Sequence, residues 1–311
     1  GTLDGLLMSE VMTCKDFVSQ GWRDHAKDAA GVMARFEEGI ALVAEAGDVP
    51  GLAGLIAHVA GEHLGRWAEG LALLERLGNH EVCAEQERQA IARSQAVLRF
   101  CKGDLGGYES AWRAGHSGEH PERSTRARVL AIAACALAGQ ARLPEALATF
   151  RDALALINTG VAATAPVNRA IAISANNLAC ELEEVAERTP DQDALLELAA
   201  KSARRFWEVA GTWNNVQVAE YRLCMSYLAL ARPEPALGHA QAALALCQAN
   251  AAGPTDLLFA QEAIARANHA LGRSEAAAAA RDAMLGHLPN ADPSWGDYPK
   301  ETVAKIQALL A

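Results

Sequence analysis

Aromatic residues supply only 5% of this chain, against a hydrophobic fraction of 51%, and much of the remainder is alanine. Such a composition argues for helices packed through small side chains, against a sheet core rich in Val, Ile and Tyr. No alternating strand pattern bounded by turn residues is present. No apolar run reaches the roughly 18 residues that a membrane-spanning helix needs. Positive charge is scarce: 28 Lys and Arg stand against 38 Asp and Glu, for a net charge of −10. With no basic cluster beyond Arg204-Arg205, the chain makes a poor duplex-binding surface, because phosphate contacts supply most non-specific affinity. It suits basic partners better.

Paired and catalytic motifs are missing as well. The seven cysteines, at 14, 83, 101, 135, 180, 224 and 247, form no CxxC pair, are odd in number and follow no secretory signal. They read as reduced, small buried hydrophobes of a cytoplasmic protein. No Gly-rich phosphate loop, GxSxG elbow or paired catalytic motif occurs, and no cysteine has the context of a nucleophile. The expectation is a protein that is not an enzyme and uses no cofactor. Gly1, with no initiator Met, reads as an expression remnant, so the natural sequence is expected to begin further upstream.

What is present is a repeated helical hairpin. Its clearest copy is GQARLPEALATFRDALAL, residues 139–156. Ala146, Leu147, Phe150, Ala153, Leu154 and Ile157 recur at the i, i+3, i+4, i+7 spacing of one buried helix face. Pro144 suits the first turn, and Ala146 and Ala153 let a neighbouring helix approach closely. A second apolar face runs upstream through Leu130, Ala134 and Leu137. One such pair buries too little to stand alone and must stack on others. Five turns align, GRWAEG, GDLGGY, ARLPEA, ARPEPA and GRSEAA, ending at Gly70, Tyr108, Ala146, Ala236 and Ala277. Their spacings are 38, 38, 90 and 41 residues. The gap of 90 implies one more pair, with a turn placed near Ala199, and an earlier member is centred near Val32.

The expectation is an all-α fold of seven hairpins in a single helical-repeat domain over residues 2–311. The hairpins fall at 20–46, 51–78, 82–115, 125–158, 166–210, 213–250 and 255–288. A poorly marked helix at 3–18 precedes them. Trp295 and Tyr298 fold a loop over the last hairpin, and a capping helix at 300–310 covers the open end.

The pattern resembles the tetratricopeptide repeat. Ala134, Ala141, Ala146, Phe150 and Ala153 match that family's small and large positions in one repeat. Cys224, Tyr227, Ala231, Ala236, Ala240 and Ala243 match in another, and Gly272, Ala277 and Pro289 in the last, where Arg281 replaces a usual aromatic. The resemblance spans residues 20–288 and implies a right-handed superhelical solenoid with a concave binding groove. The period is longer than is usual for the family. Residues 44–77 resemble the long-repeat arrays of bacterial transcription regulators and signal-transduction ATPases, which implies a regulatory module of a larger protein.

By the family's register, Arg93, Asn176, Asn177, Tyr221, Arg222, Glu262, Arg266 and His269 face the groove, beside Ser94, Cys180 and Met225. Such Asn and Arg residues suit an extended peptide, through amide pairing and guanidinium forks. Ala131 and Cys135 stand where a carboxylate clamp would have Lys and Asn. Two alternatives stay open. Asn176 and Asn177 either line the groove or tie their helix to a neighbour. The ligand is either a protein or peptide, or a small molecule held by Asn177, Tyr221 and Arg222.

Two histidine groups invite a metal reading. His116-Ser117-Gly118-Glu119-His120 has the form HxxEH, but Gly118 and Pro121 place it in a loop with no third ligand. His58, Glu62 and His63 share a helix, with His58 and Glu62 on one face, and read as a histidine paired to a carboxylate. No metal is expected at either.

Overall fold

The computed structural model describes residues 11–311; the predicted helix at 3–18 falls partly outside them. The described residues are helical throughout, with no strand. They divide into two compact units, Gly1–Val161 and Ala162–Ala311.

The first unit opens with three short helices, α1 (Cys14–Asp24), α2 (Ala29–Ala34) and α3 (Phe36–Ala41). Thr13 and Asp16 close a capping box at the start of α1. The single helix expected around Val32, Phe36 and Ile40 is broken at Arg35. That residue leaves helical geometry at φ −101°, ψ 0°, and its Nε donates to Gly31 O at 3.2 Å. Then follow α4 (Val49–Ala57), which runs into a wide turn of π-helix at His58–His63, and α5 (Trp67–Gly78). Two regular hairpins complete the unit: α6 (Glu85–Lys102) with α7 (Leu105–Ala114), and α8 (Glu122–Gly139) with α9 (Leu143–Leu156). The first helices of these hairpins, α4, α6 and α8, lie side by side in series.

The second unit repeats the scheme with α10 (Pro166–Glu183) and α11 (Pro190–Ala210), α12 (Trp213–Ala229) and α13 (Pro233–Ala249), and α14 (Pro254–Ala270) and α15 (Ser274–His287). Here α10, α12 and α14 lie in series. The expected cap is α16 (Tyr298–Leu310). Its Val303 and Ile306 close a cluster with Leu258, Ala265, Ala280 and Met284, burying the end of the stack. Each unit is an all-α stack of helical hairpins, as the repeat implies.

One backbone device makes the turns. The residue five places before each aligned turn end has left-handed φ: Gly65 (60°), Gly103 (88°), Ala141 (60°), Ala231 (56°) and Gly272 (73°). The amide after it reaches back to close the helix: Asp104 N to Arg99 O, Arg142 N to Leu137 O, Arg232 N to Tyr227 O and Arg273 N to Asn268 O, at 2.8–3.0 Å. This five-residue closure satisfies an orphan carbonyl at the helix end, as in a Schellman motif. In the first copy Arg66 N reaches six residues back, to Ala60 O at 2.7 Å, because the π-turn adds one residue.

The turn placed near Ala199 is a correction. Ala199 is fully buried in the middle of α11, and the turn lies between Glu183 and Pro190. It has no left-handed residue. Arg188 replaces the backbone closure with its side chain. Its guanidinium donates to Leu182 O at 3.3 Å, Val185 O at 3.0 Å and Ala229 O, and pairs with Asp193 at 2.8 Å. Packing register survives: Leu196, Ala200, Ala203 and Trp207 are buried, forty residues before Ala236, Ala240, Ala243 and Cys247, which are buried too. The insertion that spoils the period lies in the longer connections on either side of α10.

Alanine at a left-handed position costs about 1–2 kcal/mol that glycine avoids. Ala141→Gly and Ala231→Gly should each raise unfolding free energy by about 0.5–1 kcal/mol, once the extra chain entropy of glycine is subtracted. Gly103→Ala should lower it by about 1 kcal/mol, since a Cβ there meets no atom within 4 Å and only the backbone term acts. Urea unfolding of the three variants checks the opposed signs.

Candidate functional site

The second unit carries a cleft of about 250 Å³ between α12, α14 and the segment leading into α16. Helix α12 presents Asn214, Gln217, Val218, Tyr221 and Arg222 to it, the i, i+3, i+4, i+7, i+8 residues of one helix face. Asp256 and Phe259, one turn apart, come from α14, and Trp295 and Tyr298 from the C-terminal segment. The three rings pile loosely, with centroids 5.3 Å (Phe259–Trp295), 5.6 Å (Phe259–Tyr298) and 6.2 Å (Trp295–Tyr298) apart. Trp295 and Tyr298 remain half exposed, at 49% and 51%. Asp292 holds the segment on α14: its amide donates to Thr255 Oγ1 at 2.7 Å and its carboxylate caps Ser294 N at 2.9 Å.

Under the cleft lies a buried polar network. Glu262 is only 4% exposed and accepts from Tyr221 Oη at 2.7 Å and Arg266 Nε at 2.8 Å. Glu183 on α10 accepts from Arg222 Nη1 at 2.5 Å and Ser226 Oγ at 2.7 Å. Burial, then the Glu262 charge, pushes the Tyr221 phenol well up, so it stays a donor. Burial also pushes the Glu183 carboxyl up, against the opposing pull of Arg222. The Arg222 guanidinium lies 5.6 Å from the Tyr221 ring centroid, and its Nε is buried without a hydrogen-bond partner. Burial pushes the Asp256 carboxyl upward.

Of the residues expected in the groove, Tyr221 and Arg222 line the cleft and Glu262 and Arg266 form its floor. Asn176 is half-buried with its amide nitrogen 3.9 Å from Cys180 Sγ, and Asn177 is exposed on α10. His269 is exposed in the last turn of α14. Arg93 belongs to the other unit, where its Nη1 donates to Gly115 O at 2.8 Å. Burial, then Arg128, pushes its guanidinium down to about 10. Sequence reasoning missed Asn214, Gln217, Val218, Asp256 and Phe259. The helical spacing of 214, 217, 218, 221 and 222 was the available signal.

Among the described residues, one group of three metal-ligating side chains is brought together, His25, His58 and His63 of the first unit. Burial, then the neighbouring His63 and His25 rings, pushes His58 down to about 3. The HxxEH stretch is a loop, with His116 Nδ1 2.9 Å from Thr125 Oγ1. All seven cysteines are free and six are buried. Burial raises the Cys101 and Cys224 thiols to about 12, the character of packing residues. No helix among the described residues is long and apolar enough to cross a membrane.

No family model matches the chain, and no curated protein matches it. Among solved structures it is similar to a tetratricopeptide repeat protein from Parabacteroides merdae ATCC 43184, at 11% identity and a TM-score of 0.32. It is also similar to the TPR domain of P58(IPK), at 12% identity and a TM-score of 0.24. Each alignment covers 96% of this chain and 98% of the other. Those overlaps are loose. The hairpin repeat itself is read from the chain's own turns and buried small residues.

The Arg222 and Glu183 side chains are 19% and 10% exposed. Removing one partner strands the other charge. Glu183→Gln or Arg222→Leu should therefore lower stability by about 3 kcal/mol. Asn177→Ala, at an exposed position, should stay within about 0.5 kcal/mol of the parent. Calorimetric melting of the three variants tests the contrast.

Proposed function

We propose that this chain is a non-enzymatic scaffold that binds a protein or peptide segment, and that it serves as the regulatory module of a larger bacterial signalling or transcription-regulatory protein. The observation that carries the binding role is the cleft, with its exposed Trp295 and Tyr298 rings over a floor of buried ion pairs. Aromatic anchors held on a fixed scaffold are the usual energetic centre of a recognition site. The acidic wall at Asp256 and the ring faces favour a partner that inserts a basic side chain, held by cation–π contact and ending near the carboxylate. Asn214 is exposed at the edge, where a side-chain amide pairs with a peptide backbone, and the buried Gln217 orients it by donating to its Oδ1 at 2.9 Å. The net charge of −10 supports the same class of partner. The regulatory role is supported by the resemblance of residues 44–77 to long-repeat regulatory arrays.

A small-molecule sensor is the second reading. The cleft of about 250 Å³ falls below the roughly 300–1,000 Å³ of sites that enclose a drug-sized ligand. Its half-exposed rings suit a side chain better than a buried metabolite.

Peptide phage display on the intact chain should enrich sequences with a central Arg or Lys. Their affinity, by fluorescence anisotropy, should fall tenfold or more in Trp295→Ala/Tyr298→Ala, with melting shifted by only a few degrees. Failure to enrich any peptide, or equal binding to the double variant, overturns the proposal. Thermal stabilisation by a metabolite with no peptide enriched selects the sensor.

A further inference from the structure

The first unit holds a convergence of imidazoles that the binding cleft does not use. We propose that His25, His58 and His63 form a three-histidine site for a zinc-class divalent metal ion, with Glu62 and the Trp22 carbonyl orienting two of the rings.

The backbone creates the convergence. In a regular α-helix, residues five apart point about 140° away from each other. Over His58–His63 the chain adopts π-helical geometry, whose i→i+5 bonding brings residues five apart onto one face. His58 Nε2 and His63 Nε2 consequently lie 3.2 Å apart. His25 follows the end of α1, and its ring centroid lies 5.0 Å from that of His58 and 4.8 Å from that of His63. One ligand nitrogen from each of the three falls within 4.8 Å of the others. A tetrahedral ion with Zn–N bonds of about 2.0–2.1 Å needs nitrogens about 3.3–3.4 Å apart. The His58–His63 pair is at that separation already. His25, beyond its helix, has to swing by about 1.5 Å to complete the set.

Hydrogen bonding also fixes which nitrogens are available. His25 Nδ1 sits 2.7 Å from the Trp22 carbonyl oxygen, an acceptor, so Nδ1 carries the proton and Nε2 keeps its lone pair. His58 Nδ1 sits 3.2 Å from Glu62 Oε2, with the same consequence. A ligating histidine that donates its other ring N–H to a carboxylate or a backbone carbonyl is the common outer arrangement of metal sites. His63 Nε2 lies 3.6 Å from Glu62 Oε2. With the metal absent, a proton bridges the two Nε2 atoms. On binding, the ion takes its place, that proton leaves to solvent or to His63 Nδ1, and water fills the fourth position.

The platform is rigid. Glu62 is 6% exposed. Gln140 Nε2 donates to Glu62 O at 2.8 Å, and α8 presses so closely that a Cβ on Gly139 would lie 2.3 Å from that oxygen. His63 is exposed and His25 half-buried, which gives an ion a way in. Plain packing explains the cluster less well, since apolar side chains would fill the space with no converging lone pairs. An all-imidazole donor set suits Zn²⁺, with Ni²⁺, Co²⁺ and Cu²⁺ able to substitute.

Tag-free protein, stripped with chelator and dialysed against Zn²⁺, should retain one equivalent by elemental analysis and melt several degrees higher. Co²⁺ should give the intense visible bands of a four-coordinate ion. His25→Gln and His63→Gln, both at solvent-accessible rings, should each weaken binding tenfold or more while leaving the circular dichroism of the metal-free protein unchanged. His116→Ala/His120→Ala should bind as the parent does. Substoichiometric zinc in the parent, a six-coordinate cobalt spectrum, or full retention by the His25 and His63 variants overturns the site. The parent's zinc content and cobalt spectrum decide the question even if a variant folds poorly.

Discussion

The hairpins depend on one backbone constraint: each ordinary turn must place a single residue at positive φ so that the next amide can close the helix behind it. Everything downstream follows from that reversal. It fixes the angle at which the returning helix leaves, brings Ala146, Ala236 and Ala277, all fully buried, against the helix just completed, and leaves the first helices free to align in series. Small side chains at those contacts set the spacing. The low aromatic content is a corollary, because a large ring at a 0%-exposed alanine would push the layers apart.

Two departures from this rule carry the molecule's chemical interest. In the α4–α5 hairpin, the helix takes on an extra residue before it closes, and the π-turn gathers histidines that a regular helix would scatter. In the α10–α11 hairpin, the side chain of Arg188 performs the closure, and Glu183 at the end of α10 sits opposite Arg222. The binding cleft beyond is a product of the cap. Rings that cover an apolar end from one side present their other faces to solvent, so termination of the stack and construction of a binding surface are one event.

The fold was largely legible in the sequence because its determinants are local. The turn strings, the spacing of 38 and the alanine positions all lie within one hairpin. The turn of the pair at 166–210 was misplaced because its determinant is a side-chain latch, with no Gly or Asn to mark it. The site was legible only in part. The register sets Tyr221, Arg222, Glu262 and Arg266 on one face, and the structure brings these four side chains together. The same register includes Arg93 and His269, which do not join them, since equivalent positions in a repeat share a face without sharing a place. Trp295 and Tyr298 were seen as covering residues, and their second faces could not be inferred without knowing how α16 lies. His25 was unreadable as a partner of His58, which lies 33 residues away, beyond the three helices α2, α3 and α4.

The alanines at positive φ have a further meaning. Ala141 and Ala231 hold backbone strain that Gly65, Gly103 and Gly272 do not, so the joints of the array are unequal in stiffness. Under tension, or in the brief local openings that precede proteolysis, the α8–α9 and α12–α13 joints release strain as they part, and the glycine joints release none. Ala251, at φ 49° between α13 and α14, adds a third strained joint, so two of the three adjoin helices that wall the cleft.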